Sequence, residues 1–258
     1  VRRAAGALLL AVALLGFGAS APPRGGLTPD RILVFTKTTG FRHDSIPAGI
    51  AAVSAIGGRA GLEVDATENA AFFTPSTLAP YRVVVFLNTT GDVLDAMQES
   101  ALQAWVKEGG GFVGVHSAAD TEHGWPWYRE LLGARFRSHP AIQPASIRVE
   151  WPRHPATRSL PTLWMRTDEW YNFDANPRGS VSVLLTLDES SYSGGDMGAD
   201  HPIAWCRTIV GGRSFYTAGG HTAGSYSEPR FLDHLTGGLL WAARLEGSRP
   251  QTRVVPPR

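Results

Sequence analysis

Gly109-Gly-Gly-Phe-Val-Gly-Val-His-Ser-Ala-Ala-Asp-Thr-Glu-His123 runs an apolar segment straight into a loop crowded with reactive groups. Phe112 to Val115 is too short and too apolar for a half-solvated edge. It reads as a central buried strand, and the glycines before it end the preceding helix. Two histidines, an aspartate, a glutamate and a serine then fall between His116 and His123. They lie just past the strand's carboxyl end, where open α/β sheets place their ligands.

Outward from that strand the chain alternates. Arg31 to Lys37 is a β-rich run. Ser45-Ile-Pro-Ala opens a helix that ends near 57–61, with Asp44 and Ser45 as N-cap residues and Pro47 in the first turn. Leu62 to Thr67 and the continuous apolar run 83–87 are strands, the second buried on both faces. Residues 72–80 read as a short helix or loop. Asp95 to Lys107 carries Met97, Leu102, Trp105 and Val106 at helical spacing. Beyond the central loop, Trp125 to Leu132 reads as a helix and 146–150, 163–167, 181–187, 203–208 and 213–217 as strands. Gly211-Gly212 joins the last two as a hairpin. Glu228 to Arg244 closes the fold as an amphipathic helix with Phe231, Leu235, Leu239, Leu240 and Trp241 inward. This alternation is the grammar of an α/β fold with a doubly wound, mostly parallel sheet.

Composition sets limits. The 258 residues can bury one good core, and no linker interrupts 28–246, so one domain is the economical division. The balance of 24 basic and 23 acidic residues gives no field for nucleic acid. Arg2 and Arg3 precede an apolar stretch from Ala4 to Ala19, so residues 1–21 are expected to be a signal peptide cut near Ser20 or Ala21. A secreted or cell-surface protein with no stable membrane span after cleavage follows, an uncleaved anchor being the alternative. The tail 247–258 is Pro- and Arg-rich and is expected to be frayed. Cys206 is the only cysteine and lies in an apolar strand, where a small buried hydrophobe is expected rather than a nucleophile.

Four segments place polar groups past strand ends: Thr38 to Ser45, His116 to His123, Asp168 to Tyr171, and Gly219 to Tyr226. In a parallel sheet such ends converge on one rim. Three chemistries compete there. His43, His116, His123, His221 and Glu169, with Asp120 and Glu122 nearby, include enough donors for a divalent metal, though no tight metal motif is present. Without a metal, one histidine and one carboxylate can act as acid and base on a sugar hydroxyl or glycosidic oxygen. Nucleophilic catalysis fits worst, because the elbow position holds His116 rather than Ser or Cys. His116 at a strand terminus is the principal acid–base group or ligand. Glu169 and His221 complete a pair, with His43 and Asp120 beside them. Arg42 is placed as a clamp, and Trp125, Trp127, Trp170 and Tyr171 as flat faces for a sugar, although Trp125-Pro-Trp-Tyr also suits a helix start pinned on the core.

The runs Thr-Thr-Gly-Phe-Arg-His-Asp-Ser-Ile (38–46), Gly-Val-His-Ser-Ala-Ala-Asp-Thr-Glu-His (114–123) and Asp-Glu-Trp-Tyr-Asn-Phe (168–173) resemble the ThuA-like, trehalose-utilisation family. His-Pro-Ile-Ala-Trp-Cys (201–206) and Phe-Tyr-Thr-Ala-Gly-Gly-His-Thr (215–222) extend the resemblance, which spans about residues 30 to 244. It implies a class I glutamine-amidotransferase-like fold, a flavodoxin-like sandwich with helices on both faces. It also implies a part in using trehalose or related disaccharides, with keto-sugar intermediates among the candidates. The matched positions are His43, His116, Asp120, Glu122, His123, Glu169 and His221. An amidotransferase has Cys at the elbow, so glutamine hydrolysis is not expected to carry over. Two functions remain open: an exported hydrolase or lyase on a small carbohydrate, and a non-catalytic sugar-binding or interaction module on the same fold. Histidines with carboxylates favour the enzyme.

Overall fold

The computed structural model describes Val1 and residues 31–247, so the expected signal peptide beyond Val1 and the tail beyond Gly247 lie outside the described residues. The first half alternates strand and helix: β1 (Arg31–Phe35), α1 (Ile46–Arg59), β2 (Glu63–Thr67), α2 (Pro75–Leu78), β3 (Tyr81–Leu87), α3 (Ala96–Lys107), β4 (Gly111–Val115) and α4 (Pro126–Leu132). The second half is mostly strand: β5 (Phe136–Ser138), β6 (Gln143–Val149), β7 (Leu163–Asp168), β8 (Asn172–Phe173), β9 (Ser182–Asp188), β10 (His201–Ile209) and β11 (Gly212–Thr217), closed by α5 (Pro229–Ala242).

Nine strands form one sheet in the order β2-β1-β3-β4-β11-β10-β9-β6-β7. The first five are mutually parallel, and β10, β9, β6 and β7 extend them by antiparallel pairing. The inner parallel strands β1, β3 and β4 are nearly continuous in hydrophobicity because both faces are covered. Alternation along each strand assigns the faces. A Cβ on Gly57 of α1 would meet Val64 and Ile32, and one on Gly238 of α5 would meet Phe215, so α1 and α5 share a face. On the other, Phe86 packs on Phe35, Phe112 and Tyr128 of α4. β4 lies buried between β3 and β11, the central position its composition demands. The fold is α/β and flavodoxin-like.

The antiparallel half does not continue flat. β7 stands four places from β11 in the sheet order, a separation of about 19 Å in a flat sheet. Nevertheless Gly220 N and His221 N, just past β11, donate to Asp168 at the end of β7 (2.8 and 3.2 Å). The sheet therefore curls until its last strand meets the exit of β11, and Trp164 of β7 reaches Glu228 at the start of α5.

Three local expectations need correction. Ser45 makes no side-chain cap; its hydroxyl donates to Gly220 O (3.3 Å) and accepts from Asn88 Nδ2 (2.8 Å), tying α1 to the loop after β11. Met97 falls in the first turn of α3, beside the Asp95–Gln98 capping box, and is 82% exposed. Leu240 and Trp241 are half-buried, because α5 turns Phe231, His234, Leu235 and Leu239 inward. The two-stranded β5–β8 sheet was not expected, since two or three residues are too few to show a period.

Candidate active site

His116 leaves β4 with a φ of +50° and starts a 3-10 turn over His116–Asp120. A non-glycine residue in this region carries strain of about 1–3 kcal/mol and needs its surroundings to hold it. Tyr216 Oη donates to His116 O (2.9 Å), Tyr128 Oη to Ala118 O (2.8 Å) and Thr121 Oγ1 to Ser117 O (3.1 Å). The ring is fixed from the far side, Nδ1 donating to Ala218 O at 2.7 Å. A carbonyl only accepts, so Nδ1 carries the proton and Nε2 faces the site.

The second support is Asp168. It is fully buried and paired with Arg166 Nη1 at 2.8 Å, and it accepts from Ser225 Oγ (3.2 Å) as well as from the two amides after β11. Arg166 is held in turn by Glu228 (3.0 Å). This buried ion pair clamps the His221 loop against β7 and so delivers Glu169, the next residue, beside His221.

The result is a compact floor. Glu169 Oε2 lies 3.2 Å from His221 Nδ1 and 3.4 Å from His116 Nε2, and those two nitrogens are 3.1 Å apart. His43 stands edge-on to both rings, with centroids 4.9 and 5.0 Å away, and its Nδ1 is 3.4 Å from Ser117 Oγ. Each of the four residues offers a ligand atom within 4.8 Å of the others, a set able to hold a metal ion. Burial would raise the Glu169 carboxyl, but hydrogen bonds and charge from His116 and His221 outweigh it and hold it well below the carboxylate range. Glu169 in turn raises His221 against the opposing effect of burial. His43 is pushed down to about 3, first by burial and then by His116 and His221.

Above this floor opens a pocket of about 410 Å³, within the size range of small-molecule sites. His43, Glu169 and His221 line it, with Asp120, Thr90 and the aromatic rings of Phe41, Phe136 and Tyr171. His116 lies fully buried beneath, its ring 4.2 Å from that of Tyr171.

Several expected site residues point elsewhere. Arg42 is exposed and pairs with Glu68 (2.6 Å). Glu122 is buried and accepts from Val93 N and Leu94 N, both at 2.8 Å, which makes it a loop brace rather than a substrate contact. His123 stands outside the metal-capable set; it is half-exposed and bound to Asp120 Oδ1 (2.9 Å). Trp125 is buried at the start of α4 and packs on Trp127 and Tyr128. Trp127 is only partly buried against the core, and Trp170 is fully buried with its indole N–H on Gln143 O (2.8 Å). None of these lines the pocket, and of the expected aromatic faces only Tyr171 does. His139, unforeseen in the sequence, does line it and places Nδ1 3.1 Å from Glu169 Oε1. It follows β5, too short a strand to announce a strand end. Phe41 and Phe136 carry no polar signal of their own, although Phe41 lies two residues before His43 in one of the polar segments.

Among the described residues no helix is long and apolar enough to cross a membrane. A search of curated proteins finds no match. Among solved structures, a ThuA-like protein from Bacteroides uniformis ATCC 8492 superposes with a TM-score of 0.72 at 23% identity, covering 86% of this chain and 95% of that one. A ThuA-like protein from Parabacteroides merdae ATCC 43184 gives 0.70 at 20% identity, with 84% and 90% covered. A β-galactosidase from Rahnella sp. R3 matches by fold over 84% of this chain and 32% of its own, at 17% identity and a TM-score of 0.53. The profile of the ThuA family, described as trehalose utilisation, matches residues 31–242, and the chain belongs to that family.

Proposed function

We propose that the chain is an exported enzyme of disaccharide utilisation. In this reading it is a hydrolase or lyase acting on trehalose, a related disaccharide or its keto-sugar form. One observation carries the reading: three imidazoles and a carboxylate floor a pocket walled by Phe41, Phe136 and Tyr171. Aromatic walls suit the C–H faces of a sugar, and a pure sugar binder has little use for so many titratable groups. Asp120, which also lines the pocket and is held by His123, is assigned the proton exchange with a bound sugar. On a keto-sugar, a base removes the proton next to the carbonyl, the glycosidic C–O bond breaks, and an acid returns a proton to the leaving oxygen. Glutamine hydrolysis is not part of this reading. The elbow holds His116, and Cys206 is buried in β10, where burial pushes its thiol up to about 12. Export by the N-terminal apolar stretch and a small sugar, rather than nucleic acid, as the partner belong to the same proposal.

Purified protein is expected to turn over a disaccharide or its oxidised form, and His116→Ala to abolish turnover while leaving sugar binding measurable. If no unoxidised or oxidised disaccharide is turned over, and the variant binds sugar as the parent does, the enzyme reading fails and a binding module remains.

A further inference from the structure

Three atoms on the pocket floor form a nearly equilateral triangle: His116 Nε2, His221 Nδ1 and Glu169 Oε2, with sides of 3.1, 3.2 and 3.4 Å. A tetrahedral zinc-type ion bonded at about 2.0–2.1 Å spaces its ligands by roughly 3.3 Å, so the triangle already has the dimensions of one coordination face. His43 supplies a further donor within 4.8 Å of the rest.

The proton inventory points the same way. Because Nδ1 of His116 donates to Ala218 O, Nε2 turns a lone pair toward Glu169 whenever the ring is neutral, and the carboxylate oxygen it faces also only accepts. A single proton on His221 Nδ1 must be shared between both acceptors. A cation at the centre of the triangle satisfies all three lone pairs together. Three of the four donors also have an outer partner, as metal ligands do. His116 has Ala218 O, Glu169 has His139 Nδ1 on its other oxygen (3.1 Å), and His43 has Ser117 Oγ.

We propose that His116, His221 and Glu169, with His43 as fourth donor, hold a divalent transition-metal ion of the zinc class at the floor of the pocket. Imidazole nitrogens with one carboxylate select such ions over calcium or magnesium, which favour all-oxygen sites. The proposal deepens the enzyme reading and rests on it for the ion's use, as a Lewis acid toward a sugar oxygen or water, but not for the ion's presence. The Asp120–His123 pair offers two half-exposed groups and no third donor, so it is not a second such site.

The full chain, exposed to zinc or cobalt and dialysed, is assayed by elemental analysis and visible spectroscopy. One equivalent of metal per chain and the intense visible band of four- or five-coordinate cobalt are expected. His116→Ala and Glu169→Ala should lose both, and His123→Ala should keep both, with circular dichroism confirming that each variant is folded. X-ray absorption at the zinc edge of the unaltered chain needs no variant; imidazole scattering is expected, and a shell of oxygen alone overturns the site. A chain that retains no more metal than His116→Ala also overturns it and leaves a protonated imidazole network. Metal bound without sugar turnover upholds the site and removes the enzyme reading. Turnover in metal-free protein upholds the enzyme reading and overturns the ion's use in it.

Discussion

Two groups of histidines, one structural and one at the pocket, differ in what their ring nitrogens face. His234 is matched to ordinary partners, with Nδ1 on Ala156 O (2.8 Å) and Nε2 on Thr217 Oγ1 (3.1 Å). His154 accepts from Ala156 N (3.2 Å) and sets Nε2 3.6 Å from Cys206 Sγ. His43, His116 and His221 instead face one another and a carboxylate across a pocket. Burial alone does not separate a structural histidine from a functional one; the identity of the partners does. The first set is spent on stability, whereas the second holds nitrogens together that gain little from one another without a proton or a cation.

The sharpest way to break this contrast is to release the clamp beneath the second set. Asp168→Ala leaves Arg166 buried with Glu228 as its remaining carboxylate and two loop amides without an acceptor. A loss of about 3–5 kcal/mol in urea-unfolding free energy is expected; a loss below about 1 kcal/mol would mean that the clamp does not hold the site. Next in size is His234→Ala, which strips the partners from Thr217 and Ala156. About 1–3 kcal/mol should be lost, with turnover of the folded fraction kept. If turnover collapses while stability holds, the two sets have been assigned the wrong way round.

Acidification tests the same contrast without a substitution. Burial is the chief cause holding His154 and His234 at about 4, below their ordinary 6.5. On acidification the unfolded chain therefore takes up protons first. The stability linked to these two groups is intact above about 6.5 and is lost as pH falls toward 4. His221, raised by Glu169, has the opposite sign: its contribution is present at low pH and is lost as pH rises through its folded value. A thermal midpoint that falls between pH 7 and pH 4 is expected; one that rises would mean that His221 outweighs the structural pair and His43, which is lowered in the same sense.

How much of this was legible follows from how each half is built. The parallel half could be read because its inner strands are apolar runs ended by polar residues, as Val115 is by His116. That pattern singled out His43, His116 and His221. The antiparallel half hid its geometry, since no local signal in Leu163–Asp168 says that the sheet curls back onto the β11 exit. Glu169 was named as a site residue, but the Asp168–Arg166 clamp that delivers it was not. His139 escaped because its strand spans three residues. The tryptophans misled for a physical reason. Beside a polar loop, a large amphipathic ring satisfies the sugar-site pattern and the core-anchor pattern equally, and Trp170 with its indole on Gln143 O is the second.

The central claim is that the two halves meet at one chemical centre, and a double-mutant cycle on His221→Ala and Glu169→Ala tests it most directly. With chelator present, urea unfolding of the four proteins should give a coupling of about 0.5–3 kcal/mol, the range for residues in contact. Effects that add within about 0.3 kcal/mol would place the imidazole and the carboxylate in separate environments and contradict the account.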